Sequence, residues 1–142
     1  MRLFLDSSVV LAACGRPTGA SRYLFDIAPR MGWSLLTSTY VRTEVERNLS
    51  LRLPAAAELA WRQLSPMLQG VADVVTFNWP TLVGVGKDRP VLFTAAAFSD
   101  ALLTLDRADF GALMATGFYG LQVLTPGEFL RRERAAGRLP TL

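Results

Sequence analysis

The amino-acid sequence predicts an α/β fold: a single three-layer α/β/α domain, residues 1–142, with a mostly parallel sheet of five strands. Short apolar runs with the length of buried strands alternate along the chain with segments of helical periodicity. Such alternation is typical of parallel strands joined by right-handed helical crossovers. A chain of 142 residues is the size of one domain with one core, and no repeat, linker or low-complexity segment divides it.

The chain begins with a predicted strand at residues 2–5, and a helix through 9–14 follows it. Ser7 or Ser8 is suited to cap that helix, because a serine side chain can accept a hydrogen bond from the first turn. After a turn rich in glycine, Ser21 is placed to cap a second helix, whose apolar residues keep to one face.

The middle of the chain repeats this order. Residues 33–38 read as a second strand, and Ser38 or Thr39 is positioned to cap the helix that follows. Pro54 opens a further, alanine-rich helix, because proline is favoured in the first turn. The apolar run at 72–77 is the predicted third strand.

The last part starts from a loop-like stretch at 78–90. Asp88 is placed to cap the next helix, residues 101–104 read as a fourth strand, and Asp109 is placed to cap a short helix. Residues 120–124 form the predicted fifth strand.

A capping box predicts the start of the last helix. Thr125 and Glu128 have the required spacing, with proline at the first helical position. From about residue 137 we expect a frayed tail.

Composition narrows the class of protein. The chain is 51% hydrophobic and 19% charged, which is globular. No apolar stretch approaches a membrane span, and the early Asp6 argues against a signal peptide. The single cysteine, Cys14, cannot form an internal disulfide. We therefore expect a cytoplasmic protein with no membrane partner.

The charged residues exclude several kinds of catalysis. The net charge is +3, which permits nucleic-acid binding without indicating it. The basic residues are arginines apart from Lys87, and the excess of arginine is also what a GC-rich genome would produce. Histidine is absent, which rules out Ser-His-Asp and Cys-His catalysis and most zinc hydrolase sites.

Four acids occupy the positions where a divalent cation would be held: Asp6, Glu44, Asp88 and Asp106. Asp6 and Asp106 end apolar runs, and ligand sites of open α/β sheets lie beyond the carboxyl ends of strands. Two carboxylates about 4 Å apart repel each other by roughly 4 kcal/mol at an effective dielectric constant near 20. Because the ligands would be oxygens alone, Mg²⁺ or Mn²⁺ suits the cluster better than zinc.

Each acid also has a purely structural explanation. Asp88 could simply cap a helix, and Asp106 could close a turn. Glu44 could pair with Arg47 on a solvated face. The repulsion between the acids could instead be offset by salt bridges to nearby cations, namely Lys87, Arg89 and Arg107. Asp6 is the hardest to explain in this way, because it directly follows core residues.

Four segments in this order resemble the PIN-domain (PilT N-terminus) ribonucleases, whose toxin-type members are called VapC-like. They begin at Phe4, Thr43, Lys87 and Leu103 and contain the four acids in turn, and the segment from Val123 to Phe129 resembles the family's closing strand and helix.

The resemblance implies a site and an activity. The four acids would be catalytic, with Asp6, Asp88 and Asp106 holding Mg²⁺ or Mn²⁺, and the first strand would lie beside the fourth. Ser7 and Thr104 would be supporting hydroxyl residues, and Asp109 would either assist the metal site or cap its helix.

The implied activity is cleavage of single-stranded RNA. Members of the family are commonly homodimers, and many are the toxin of a type II toxin–antitoxin pair, so an antitoxin protein is an implied partner.

The competing interpretation is a catalytically inactive PIN-like module that binds RNA or protein. Its contact surfaces would be the loop around Trp79 and the arginines of the last helix. Two other aspartate-using classes fit poorly. A haloacid-dehalogenase-type phosphatase needs an acid where Ser8 stands, and a response-regulator receiver needs a lysine placed differently from Lys87.

Overall fold

Five parallel strands form one sheet in the part of the chain that the computed structural model describes, residues 1–74 and 89–140. Their order across the sheet is β3-β2-β1-β4-β5. The strands are β1 (Arg2–Leu5), β2 (Ser34–Ser38), β3 (Leu68–Val71), β4 (Ala101–Leu103) and β5 (Gln122–Leu124). The predicted pairing of the first strand with the fourth is confirmed, with Leu3 opposite Ala101 and Leu5 opposite Leu103.

Helices connect the strands. Within the same ranges they are α1 (Ser7–Gly15), α2 (Ala20–Met31), α3 (Thr39–Arg52), α4 (Ala55–Leu64), α5 (Arg89–Phe98), α6 (Arg107–Thr116) and α7 (Pro126–Ala135). None of these helices is both long and apolar enough to cross a lipid bilayer.

The strand order fixes which helices share a face of the sheet. The chain moves from β1 to β2 and β3 in one direction, and from β4 to β5 in the other. Right-handed crossovers then put α1 to α4 on one face and α5 and α6 on the opposite face. α7 returns to pack against α2. The predicted three-layer arrangement is confirmed, and its topological switch point lies between β1 and β4.

The central strand is buried on both faces. Leu3, Phe4 and Leu5 are all fully inaccessible to solvent, although successive side chains of a strand point to opposite faces. Strands covered by helices on both sides have this continuous apolar pattern. Phe25 and Phe110 are also fully buried, so large aromatic rings fill the core.

The position of the third strand was predicted wrongly. β3 is Leu68–Val71, whereas the prediction was 72–77, of which 75–77 lie outside the described residues. The helical spacing of apolar residues up to Leu68 concealed the strand, because α4 ends at Leu64 and a 3-10 turn containing Pro66 follows. β3 lies at the edge of the described sheet with Gln69 and Gly70 exposed, so it lacks the apolar run of a central strand.

Two predicted caps are present. The hydroxyl of Ser38 accepts a hydrogen bond from Val41 N at 3.4 Å, and that of Thr125 accepts one from Glu128 N at 3.2 Å. The carboxylate of Glu128 binds two arginines, as described below.

Two other predicted caps were wrong. α1 begins after Asp6, so neither Ser7 nor Ser8 caps it, and α2 begins after Gly19 rather than Ser21. Serine offers a cap wherever it stands near a helix start, and tertiary hydrogen bonds compete for it.

Residues 137–140, where the sequence suggested fraying, contact the domain. Arg138 donates from Nε and Nη2 to the two carboxylate oxygens of Glu133, at 2.6 and 2.9 Å. Glu133 is buried, and so is Leu139. The hydrogen bonds and the charge of Glu133 together raise the pKa of the Arg138 guanidinium.

We expect Arg138→Ala to lower the thermal unfolding midpoint more than Arg134→Ala, a change at an exposed arginine of α7, the helix that carries Glu133. The first variant leaves the buried Glu133 carboxylate without its cation, whereas surface substitutions usually change stability by no more than about 0.5 kcal/mol. Thermal unfolding of both variants at neutral pH checks this. Equal midpoints would show that the ion pair contributes nothing.

Candidate active site

Asp6 lies at the switch point, immediately after β1. Its backbone N–H donates to Leu103 O at 3.0 Å, and Thr104 N donates to Leu124 O at 3.0 Å. The parallel ladder therefore continues one residue beyond the strands, and Asp6 stands beside Thr104 on the same face. In open α/β sheets, ligands bind beyond the carboxyl ends of the strands, at such a switch point.

Two hydroxyl groups hold the carboxylate of Asp6. Thr104 Oγ1 donates to Asp6 Oδ2 at 2.8 Å, and Ser8 Oγ donates to the same oxygen at 2.9 Å. Asp6 is 7% exposed and Thr104 is fully buried. A buried carboxylate with two fixed donors has its orientation set before any ligand arrives.

The same two hydroxyl groups fix the loop that carries Asp106. Ser8 Oγ accepts a hydrogen bond from Leu105 N, and Thr104 Oγ1 accepts one from Asp106 N, both at 3.0 Å. The turn after β1 and the turn after β4 are thereby joined. Sequence reasoning gave Ser8 only a capping role, although a hydroxyl two residues after an aspartate can bond back to it.

Asp106 is the cap of α6. Its Oδ1 accepts a hydrogen bond from Asp109 N at 3.0 Å, and its side chain is half-buried. The prediction that Asp109 caps this helix was wrong. Asp109 lies in the first turn, and its backbone N–H donates to the carboxylate of Asp106, which is the cap.

The acids share an electrostatic environment. Burial raises the pKa of Asp6, and the negative charge of Glu44 raises it further. The hydrogen bonds from Thr104 and Ser8 and from the backbone of Ser7 act in the opposite direction, but burial is the largest effect. Among the described residues, ionised Asp6 is therefore not offset by positive charge.

The described arginine side chains do not supply that charge. None of the ion pairs among them involves Asp6, Glu44 or Asp106, and Glu44 does not pair with Arg47. Lys87 and the side chain of Arg89 lie outside the described part. Arg107, the third candidate cation, forms no salt bridge with these described acids. The structure therefore does not support Arg107 as the group that offsets their repulsion.

The donor chemistry suits a hard divalent cation. Asp6, Glu44 and Asp106 offer carboxylate oxygens, which Mg²⁺ and Mn²⁺ prefer. Cys14 is buried, and burial raises its pKa to about 11, so it is no thiolate ligand at neutral pH. No three acidic or cysteine side chains within residues 1–74 and 89–140 form a complete ligand set. Asp88, the third predicted ligand, lies outside these ranges.

The supporting residues lie in the same region. Ser7 is buried at the start of α1, next to Asp6, and Thr104 joins Asp6 to Asp106. The structure therefore brings Asp6, Thr104 and Asp106 together, with Glu44 close enough to affect the Asp6 charge.

No protein-family model matches the sequence. No curated protein matches it either. One of the solved structures is the crystal structure of VapBC2 from Rickettsia felis bound to a DNA fragment from the VapBC2 promoter. A chain of that structure is similar to this chain, with a TM-score of 0.56 at 12% sequence identity. The similarity covers 87% of this chain and 97% of that chain. At this identity the likeness shows the fold alone, and it confirms the predicted PIN-like α/β fold.

Proposed function

We propose that this protein is a metal-dependent endoribonuclease that hydrolyses phosphodiester bonds of single-stranded RNA. The observation that carries the proposal is the placement of Asp6. Asp6 is buried at the switch point, and the negative charge of Glu44 raises its pKa. Hydrogen bonds through Thr104 join it to the loop that carries Asp106. Such an arrangement favours a bound cation, because a positive charge offsets both the desolvation and the repulsion.

In this proposal Asp6, Asp88 and Asp106 hold Mg²⁺ or Mn²⁺, and Glu44 completes the cluster or orients a water molecule. When bound, the cation polarises a phosphodiester and lowers the pKa of a bound water molecule. The hydroxyl groups of Thr104 and Ser8 keep the Asp6 carboxylate in one orientation. The Thr104 hydroxyl also accepts a hydrogen bond from the backbone N–H of Asp106, which fixes the position of Asp106.

We further propose that the protein acts in the cytoplasm, as a homodimer and as the toxin of a type II toxin–antitoxin pair. The fold shared with a chain of VapBC2 supports this role. The partner would then be an antitoxin protein that blocks the crevice.

Removal of divalent metal is expected to abolish RNA cleavage. We expect protein treated with a chelator to cut a labelled single-stranded oligoribonucleotide about 10³-fold more slowly, equivalent to ~4 kcal/mol, because the cation supplies most of the charge stabilisation. Added Mn²⁺ or Mg²⁺ should restore the rate. The rate is measured by gel electrophoresis, with calorimetric titration of Mn²⁺ in parallel.

The same measurements separate a nuclease from an inactive module. A protein that binds RNA but neither binds Mn²⁺ nor cuts would contradict the proposal and favour the module. Cleavage that persists in excess chelator would contradict the metal dependence. An Asp6→Asn preparation purified in parallel controls for contaminating nuclease.

A further inference from the structure

A groove runs beside the β5 edge of the sheet, between α6 and α7. It consists of two cavities of about 270 and 210 Å³. Met114, Leu124 and Arg132 line both cavities, so the two lie side by side. β5 ends the strand order of the described sheet, which leaves its outer side without a strand partner there.

One end of the groove opens beside the candidate active site. Arg107 and Thr125 line the smaller cavity. Arg107 directly follows Asp106, and Thr125 directly follows the Leu124 carbonyl to which Thr104 donates. A polymer bound at the carboxylates can therefore continue into this groove.

This end of the groove is positively charged. Arg107, Arg131 and Arg132 line it, against a single carboxylate, that of Glu128. Glu128 Oε2 accepts from Nε and Nη2 of Arg131, at 3.2 and 3.0 Å, and Oε1 accepts from Nε of Arg132 at 3.1 Å. The hydrogen bonds from Arg131 and then Arg132 lower the pKa of Glu128, so it stays ionised and keeps both guanidinium groups in place.

The two tethered arginines keep donors for a ligand. Among the described residues, Nη1 of Arg131 and both Nη atoms of Arg132 make no hydrogen bond. Guanidinium groups held in a fixed orientation suit phosphate oxygens, which accept two parallel N–H donors.

Tyr119, an exposed aromatic residue, adjoins the lining of the other end in sequence. Tyr119 lies between Gly117 and Gly120, which line the larger cavity, and its side chain is 72% exposed. Its φ is 47°, a left-handed conformation that is uncommon for a tyrosine. The ring meets the buried Phe118 edge-on, with centroids 4.7 Å apart, and Phe118 meets Phe93 in the same way. Tyr119 is thus an exposed side chain that packs against a buried aromatic ring.

We infer that single-stranded RNA leaves the carboxylate site along this groove, with its phosphates on Arg107 and Arg132 and a base stacked on Tyr119. The inference rests on the proposed function. Arginines that follow the backbone, combined with an aromatic stacking surface, are typical of proteins that bind single strands. An acidic peptide pairing with the β5 edge would use the arginines, but it would not require the aromatic ring.

The charged end is tested with Arg107→Gln/Arg132→Gln. The matched control is Arg30→Gln/Arg134→Gln, which removes two exposed arginines that do not line the groove. Affinity for a fluorescent single-stranded RNA is measured by anisotropy in chelator at several salt concentrations. The groove variant should lose about 1.4 from the slope of log K against log salt, at roughly 0.7 for each phosphate contact. The control should keep the slope.

The aromatic end is tested with Tyr119→Leu against Tyr119→Phe. Loss of stacking should weaken RNA binding about tenfold, and the phenylalanine variant should retain the affinity. Because the leucine variant places a branched side chain at a positive φ, thermal unfolding of both variants is recorded. Equal RNA affinities of folded leucine and phenylalanine variants would overturn the stacking contact.

Further outcomes distinguish the groove from the proposed function. Salt slopes that are equal in the groove variant and its control would overturn the groove, whether or not the protein cuts RNA. A groove variant that loses binding to poly-glutamate while keeping its RNA affinity would also overturn it, in favour of a peptide. RNA binding that depends on the groove in a wild-type protein that does not cut would support the groove and overturn the nuclease.

Discussion

Replacement of Asp6 by asparagine is expected to abolish metal-dependent RNA cleavage and to stabilise the metal-free protein. Asparagine has nearly the same shape and can still accept the hydrogen bonds from Thr104 and Ser8. It lacks the charge that a cation requires, so the rate should fall by roughly 10³-fold or more, as when other essential catalytic groups are removed. It also avoids burying an ionised carboxylate, so the unfolding midpoint in chelator should rise.

The stabilisation should depend on pH in a defined direction. The pKa of Asp6 is raised in the folded protein above its ordinary value of 3.8. Protonated Asp6 therefore contributes stability that is fully present below pH 3.8, and this contribution is lost as the pH rises through the raised value. The difference in midpoint between Asp6→Asn and the wild type should consequently be small in acid and grow toward neutral pH.

Asp26→Asn is the matched control, because Asp26 is exposed and lies 3.8 Å from Arg22. It should leave cleavage unchanged. Mn²⁺ should raise the midpoint of the wild type but not that of Asp6→Asn, since a cation that binds only the folded state stabilises it. Full activity of Asp6→Asn, or a midpoint below that of the wild type at neutral pH, would contradict the role assigned to Asp6.

Thr104→Val should weaken both the fold and the reaction, whereas Thr104→Ser should preserve both. Valine removes the hydroxyl that donates to Asp6 Oδ2 and accepts from Asp106 N. Leaving such partners unsatisfied costs about 1–3 kcal/mol of folding free energy. Groups that orient metal ligands typically contribute about 10–100-fold in metal affinity or activity, so we expect a loss of that size.

The loss of activity must be separated from simple destabilisation. Thr94→Val serves this purpose, because Thr94 is also fully buried and its hydroxyl accepts a hydrogen bond from Val74 N at 2.9 Å. Both valine variants should unfold more easily, but only Thr104→Val should lose Mn²⁺ affinity in calorimetry and kcat in the cleavage assay. Equal Mn²⁺ affinity and kcat in the two variants would reduce Thr104 to a structural residue.

The pairing of Asp6 with the fourth-strand residues could be anticipated from the sequence. Both apolar runs end in an acid, and parallel strands finish at the same edge of a sheet, so adjacency of β1 and β4 is enough to bring Asp6 near Asp106. The resemblance to a known family supplied that adjacency. Spacing along the chain alone does not determine the order of strands.

Other features depend on contacts that local sequence does not encode. Ser8 was assigned to a helix start, but its hydroxyl is taken by Asp6 and by Leu105 N. β3 escaped detection because an edge strand needs little apolar surface. The ion pair between Glu133 and Arg138 forms only when the tail folds back.

The hydroxyl bridge between the two turns also bears on when the protein can act. Thr104 and Asp6 are 98 positions apart, and Ser8 and Leu105 are 97 apart. A ribosome-bound chain that lacks β4 therefore cannot form these hydrogen bonds, and the proposed catalytic centre would assemble only after β4 has been made and has paired with β1. For the proposed nuclease, translation would thus supply a delay before it could act on the RNA of the cell that is synthesising it.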